Sequence, residues 1–143
     1  MATNFIYSIR DHQFILKEWL DLGKILDYDR YKDSYGVDDV DMILTEGLKA
    51  ARDMVASSND ENDDPGCIFE QGQVRVPAGI AKSYHFVQQN GWGASNWDHH
   101  NEAALPKILY EPVNEYLFGA NHGLACYYMA TGGAAELIQN FGS

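Results

Sequence analysis

The chain reads as all-α, about five to six helices with one short β-hairpin, and three observations lead there. Apolar residues recur close to a 3.6 period through most of the sequence. Only residues 67–76 abandon that period, for two short extended runs about a glycine. No apolar run approaches the roughly 20 residues that cross a bilayer. A chain of 143 residues is one domain by the length prior, and it can bury a working core without metals or disulfides.

The first helix spans residues 11–22, where Ile15, Leu16, Trp19, Leu20 and Leu22 share a face, with Asp11 as a cap and Gly23 as a stop. Tyr28, Tyr31 and Tyr35 then mark an aromatic connector without clean periodicity. Residues 37–56 carry the clearest stripe: Val40, Ile43, Leu44, Leu48, Ala51, Met54 and Val55. Asp38, Asp39 and Asp41 occupy its first turn, where the helix dipole favours anions. The acid-rich stretch 57–66 reads as a solvated loop. Its alternating Asp60, Asn62 and Asp64 do not make a calcium loop, because Pro65 stands where the glycine is needed and Gln71 where the closing glutamate is. Residues 67–70 and 73–76 pair about Gln71-Gly72, and the hairpin is expected to lean on the helices, being marginal alone. Ile80, Tyr84 and Val87 mark a third helix closed by Asn90-Gly91. Pro106 opens a fourth with Ile108, Leu109, Val113, Tyr116 and Leu117, kinked at Pro112. After a break at Gly119-Ala120-Asn121, Leu124, Ala125, Tyr128 and Met129 give a fifth helix, and residues 134–138 a sixth.

Charge and composition narrow the function. A net charge of −11 with scattered Lys and Arg opposes binding to nucleic acid or anionic membranes. Residues 1–9 lack a basic stretch followed by an apolar core, so no signal peptide is read and a cytoplasmic location is expected. Two cysteines, Cys67 and Cys126, make neither a disulfide scaffold nor a zinc spacing.

Local catalytic motifs are lacking. His99 and His100, between Asp98 and Glu102, read as a polar loop rather than a metal site, and His12, His85 and His122 have no partner at helical ligand spacing. There is no nucleophile elbow, and the glycines at 91 and 93 lack the surroundings of a dinucleotide fingerprint. Glu111 and Glu115 share a helix face, as a solvated stripe or as a pair able to share a proton or cation; Glu18 is a further helical carboxylate. The bulk of Tyr127-Tyr128-Met129 is core or pocket wall. No catalytic, cofactor-binding or metal residue is assigned.

Four blocks nevertheless fall in a familiar order. They are Arg10-Asp11 followed by Phe14, Leu16 and Glu18; Gly66-Cys67, Gly72-x-Val74, Pro77-x-Gly79 and Gly91-Trp92; Leu105-Pro106 with Val113-Asn114-Glu115; and Ala120-Asn121 before Gly133-Ala134-Ala135-Glu136-Leu137-Ile138. The chain thereby resembles the acyl-CoA dehydrogenase family. It is most similar to the long branch with an extra N-terminal helical segment, 3-methylmercaptopropionyl-CoA dehydrogenase-like, which acts on short and sulfur-containing thioesters. It departs from the pattern after Gly91-Trp92, where residues 95–104 replace a Tyr-Gly-Gly loop.

The resemblance implies an N-terminal helical domain only, with residues 1–60 as the extension and 61–143 as the family's first domain. By position, Leu124, Tyr127 and Tyr128 would line the acyl pocket, and two tyrosines would favour small acyl groups. In the family FAD is held chiefly by a middle β-domain, and the glutamate base lies in a C-terminal helical domain. This chain alone is therefore expected to bind no cofactor and to be inactive. It would act as a fragment or split subunit in acyl-CoA to 2-enoyl-CoA oxidation, with acyl-CoA and the other domains, in cis or as a partner chain, as partners. An apolar face over the fourth and fifth helices, with Leu117, Phe118, Leu124, Tyr127 and Tyr128, is expected to drive homo-oligomer formation or partner binding. The alternative is a freestanding helical interaction protein derived from such a domain.

Overall fold

The computed structural model describes residues 5, 7–92 and 105–142, apart from the side chains of Asp60 and Glu61. The polar segment with His99 and His100 lies outside the described residues. Helix α1 (Ile9–Gln13) runs directly into a π-helical turn, Phe14–Trp19. Asp21, at φ +50°, then turns the chain into α2 (Leu22–Leu26). Helix α3 (Val37–Ala50) continues through a π-helical turn, Ala51–Val55, and a 3-10 turn, Ala56–Ser58, into the short α4 (Asn59–Asp63). Strands β1 (Ile68–Glu70) and β2 (Gln73–Arg75) form an antiparallel hairpin in which Phe69 faces Val74. Three longer helices follow: α5 (Ala78–Gln89), α6 (Lys107–Ala120) and α7 (His122–Phe141).

The all-α class with one two-stranded hairpin is what the structure has, and four local expectations change. The helix read over 11–22 ends at Trp19, with Trp19 and Leu20 exposed, and Leu22 and Gly23 belong to α2 after the left-handed turn at Asp21. The fifth and sixth helices are one: α7 passes through Gly132-Gly133 without a break. Each glycine costs a helix about 1 kcal/mol relative to alanine, and the flanking Ala130, Ala134, Ala135 and Leu137 are strong helix formers that carry the helix across. The acidic stretch is not all loop, since residues 59–63 are helical and Asn62 is buried. The hairpin does not lean on the helices through its strands, whose six residues are all exposed. Its turn explains its formation: Gln71 and Gly72 both have positive φ, the pattern of a tight primed turn. An Arg75–Glu70 ion pair bridges the strands.

One core draws on both halves of the chain. Val40 and Leu44 of α3, with Ala51 and Val55 of the π-helical turn that follows it, pack on Leu109, Val113, Tyr116 and Leu117 of α6, and Leu16, Leu22, Leu26, Val87, Leu124 and Tyr128 join the same core. Each such Val or Leu contributes about 1.5–3 kcal/mol on full burial. The approach of α3 to α6 is set by Gly47, where an added Cβ would lie 2.8 Å from Val113 Cγ2. Pro112 is buried inside α6, whose Ile108 carbonyl thereby lacks its usual N–H donor.

A polar clamp fixes the N-terminal segment to the same helix. Buried His12 places Nδ1 3.0 Å from the Tyr116 hydroxyl and Nε2 3.0 Å from a Glu115 carboxylate oxygen. The neutral ring satisfies both bonds, accepting from the hydroxyl and donating to the carboxylate. Tyr7 stacks on His12 and meets Tyr116 edge-on. Among the described residues no helix is long and apolar enough to cross a membrane.

Candidate functional site

Helix α4 and the first turns of α5 and α7 converge on a cleft of about 210 Å³. Asn62, Asn121, Tyr127, Ile80, Pro77 and Asp63 are among its walls. Asn121 owes its place to capping: its Oδ1 accepts the Leu124 N–H at 2.9 Å, and α7 starts there. Asn62 is held over the first turn of α5, where Gly79 presents no side chain; a Cβ at 79 would lie 2.9 Å from Asn62 Nδ2. The two asparagines are 7% and 4% exposed, and neither amide nitrogen has an acceptor among the described residues. Burying a donor without a partner costs about 1–3 kcal/mol, so this is a place where the fold tolerates unspent hydrogen-bonding capacity.

Tyr127 stands at the rim, 44% exposed, with its hydroxyl 3.9 Å from Cys67 Sγ. That contact raises the phenol above its ordinary pKa. Two further open grooves are present among the described residues. One, of about 460 Å³, shares Asn62, Gly66 and Pro77 with the cleft and runs under the hairpin to Arg75. The other, of about 430 Å³, lies between α3 and α5 and carries Lys49 beside Glu46 and Asp53.

Comparison with known proteins adds the decisive observation. A butyryl-CoA dehydrogenase of Syntrophomonas wolfei is 36% identical over 140 residues, 96% of this chain and 23% of that protein. A second butyryl-CoA dehydrogenase of the same organism is 34% identical over the same share of each. Over nearly its whole length this chain is similar to a stretch of each of two butyryl-CoA dehydrogenases. It spans about a quarter of the length of the curated relatives it matches. No protein-family model matches the chain.

Against the positions that the acyl-CoA dehydrogenase resemblance marks, the structure separates three neighbours on α7. Leu124 and Tyr128 are each 1% exposed and sit in the core, and Tyr127 alone of the three reaches the cleft. Burial raises the Tyr128 phenol, whose hydroxyl has no partner among the described residues. The carboxylates do not converge on the cleft: Glu18 pairs with Arg10 at 2.7 Å, Glu115 with His12, and Glu111 is exposed. Among the described residues no three His, Cys, Asp or Glu side chains group closely enough to hold a metal ion, and both cysteines are free and exposed.

The asparagines were the residues that sequence reading missed. Asn121 is read there as a helix break, although Asn two positions before a Gly-Leu run is equally an N-cap signal. Asn62 has no local signal, because its burial depends on Gly79, which is distant in sequence.

Proposed function

We propose that the chain is the N-terminal helical part of a flavin-dependent acyl-CoA dehydrogenase of the N-terminally extended branch, the parent protein oxidising an acyl-CoA to its 2-enoyl-CoA. The observation that carries this reading is similarity across 96% of the chain to butyryl-CoA dehydrogenases about four times its length. Residues 1–60 would be the branch's extension and 61–143 its first domain, joined through the α3–α6 core. The role of the part is to supply surface. Tyr127 would stand against the acyl chain, with Leu124 and Tyr128 packed behind it to hold α7 in place.

On this reading FAD is not assigned to this part of the protein. The cleft of about 210 Å³ is smaller than the roughly 300–1,000 Å³ of sites for drug-sized ligands, and a flavin dinucleotide is larger than those. The two-stranded hairpin offers no strand-to-helix phosphate loop. Flavin and catalytic base belong, on this reading, to further domains in cis or to a partner chain. Of the residues expected on that face Leu117, Leu124 and Tyr128 are buried in the core; the apolar side chains exposed for such contacts are Tyr127, Leu137, Ile138 and Phe141 on α7, and Phe69 and Val74 on the hairpin. A second copy of the chain could use the same side chains.

A second reading, a freestanding helical interaction protein of the same descent, is favoured by those same exposed apolar side chains. Determining whether the reading frame, or an adjacent one, continues into a flavin-binding β-domain separates the two. Purified alone, the chain should show no flavin absorbance and no acyl-CoA-dependent dye reduction; a yellow preparation bleached by butyryl-CoA would refute the division of labour.

A further inference from the structure

We propose that two copies of this chain associate weakly through the outward face of α7, the two helices lying antiparallel and crossing at Ala134. The inference concerns the 143-residue chain by itself and goes beyond the acyl-CoA reading, in which further domains would compete for the same side chains.

Along α7 successive residues turn by about 100°. Leu124, Ala125 and Tyr128 are buried in the core, and from Met129 to Phe141 no residue is buried. Tyr127, Ala130, Ala134, Leu137, Ile138 and Phe141 fall within an arc of roughly 100° turned away from the core side, and all six are exposed. A surface helix ordinarily carries polar side chains there. After His122, Glu136 is the single acidic or basic residue of α7, and it lies off this arc. In a chain of net charge −11, an uncharged stripe is the surface that a second copy approaches with least repulsion.

The spacing selects that second copy as the occupant. A two-fold contact needs a surface complementary to itself, residue i meeting j and j meeting i. About Ala134, an antiparallel pair sets Ala130 against Ile138 of the second copy and Tyr127 against its Phe141. Small then meets large near the crossing, and aromatic meets aromatic at both ends. A parallel pair would instead oppose Ile138 to Ile138 and bring two bodies of charge −11 together at one end.

Sedimentation velocity of the chain at rising concentration reads the association. A monomer–dimer equilibrium half-dissociated at about 10–100 µM is expected, because one helix stripe falls short of the roughly 20–30 residues a side of a standard interface. Ala134→Lys opposes two like charges at the crossing while making the whole chain less negative, and should weaken the dimer at least about tenfold. Ala134 is exposed and lysine is a good helix former, so the variant keeps its fold. Phe69→Ser, on the exposed hairpin, should leave the dimer unchanged. With Cys67 and Cys126 replaced by serine, Ala134→Cys should give a covalent dimer on oxidation with diamide. Phe141→Cys should not, its two copies lying roughly 20 Å apart along an antiparallel pair. A chain that stays monomeric at high concentration overturns the inference. So does a dimer that Ala134→Lys leaves intact or Phe69→Ser dissolves, or cross-linking through Phe141→Cys as readily as through Ala134→Cys. None of these outcomes bears on the acyl-CoA reading, which a whole-enzyme chimera tests separately.

Discussion

Gly47→Ala tests the packing that unites the two halves of the chain. Adding a methyl puts a carbon 2.8 Å and 3.0 Å from the two Cγ atoms of Val113, well inside the optimum of about 3.5–4.0 Å for carbon pairs. Val113 is fully buried and, being β-branched on a helix, has essentially one χ1 rotamer, so it cannot swing aside. The helices must therefore part, and overpacking of this kind costs about 1–3 kcal/mol. Alanine returns up to about 1 kcal/mol of helix propensity. The clash wins, leaving a net loss of roughly 0.5–2 kcal/mol and, at about 2–4 °C per kcal/mol for a chain of this size, a Tm lower by about 1–8 °C. Chemical denaturation of wild type, Gly47→Ala, Val113→Ala and the double variant measures it. The double variant should be more stable than the sum of the singles predicts by about 1 kcal/mol. A Gly47→Ala protein as stable as wild type, or additive losses in the cycle, would refute the close approach.

Three further outcomes follow from other sites. Burial lowers the pKa of His12 below its ordinary 6.5, against the pull of Asp11 on its own helix; the Glu115 charge from α6 is half exposed and screened, and Tyr116 and Tyr7 are neutral. Because the folded state prefers the neutral ring, stability should be level above pH 6.5 and fall as pH drops below it, flattening again under the folded pKa; His12→Gln should remove that component from a denaturation series run between pH 8 and 5. Asn121→Ala should cost about 1 kcal/mol through loss of the α7 cap, seen as a lower thermal midpoint, whereas Asn121→Ser should recover most of it. Tyr128→Phe removes a buried hydroxyl that has no partner among the described residues, so stability should change by less than about 1 kcal/mol or rise; a large loss by the same assay would reveal a bond to that hydroxyl.

The longer helices were legible because their amphipathic stripes are strong. Val40, Ile43, Leu44 and Val55 read as a core face and are buried, since periodicity reports the side that must leave water. The hairpin was legible from Gln71-Gly72, a local turn preference. What escaped depends on partners far along the chain. No local pattern announces that Asn62 will pack against Gly79, or that His12 will meet Glu115 and Tyr116 on α6. The continuity of α7 escaped for a different reason: Gly132-Gly133 is a true propensity minimum, outweighed by alanines on either side. At the site, Tyr127, Tyr128 and Leu124 were marked by position, and only the fold distinguishes a rim residue from two core residues.

The measurement that bears most directly on the chain's role is a chimera in which it replaces the matching 140-residue segment of a Syntrophomonas wolfei butyryl-CoA dehydrogenase. If the chain is the helical part of such an enzyme, the chimera should fold, retain flavin, and reduce an electron-accepting dye in a butyryl-CoA-dependent manner, while the same enzyme lacking the segment should not. A chimera that folds and keeps its flavin, yet shows no bleaching with butyryl-CoA or with other short acyl-CoA thioesters, would contradict the assignment.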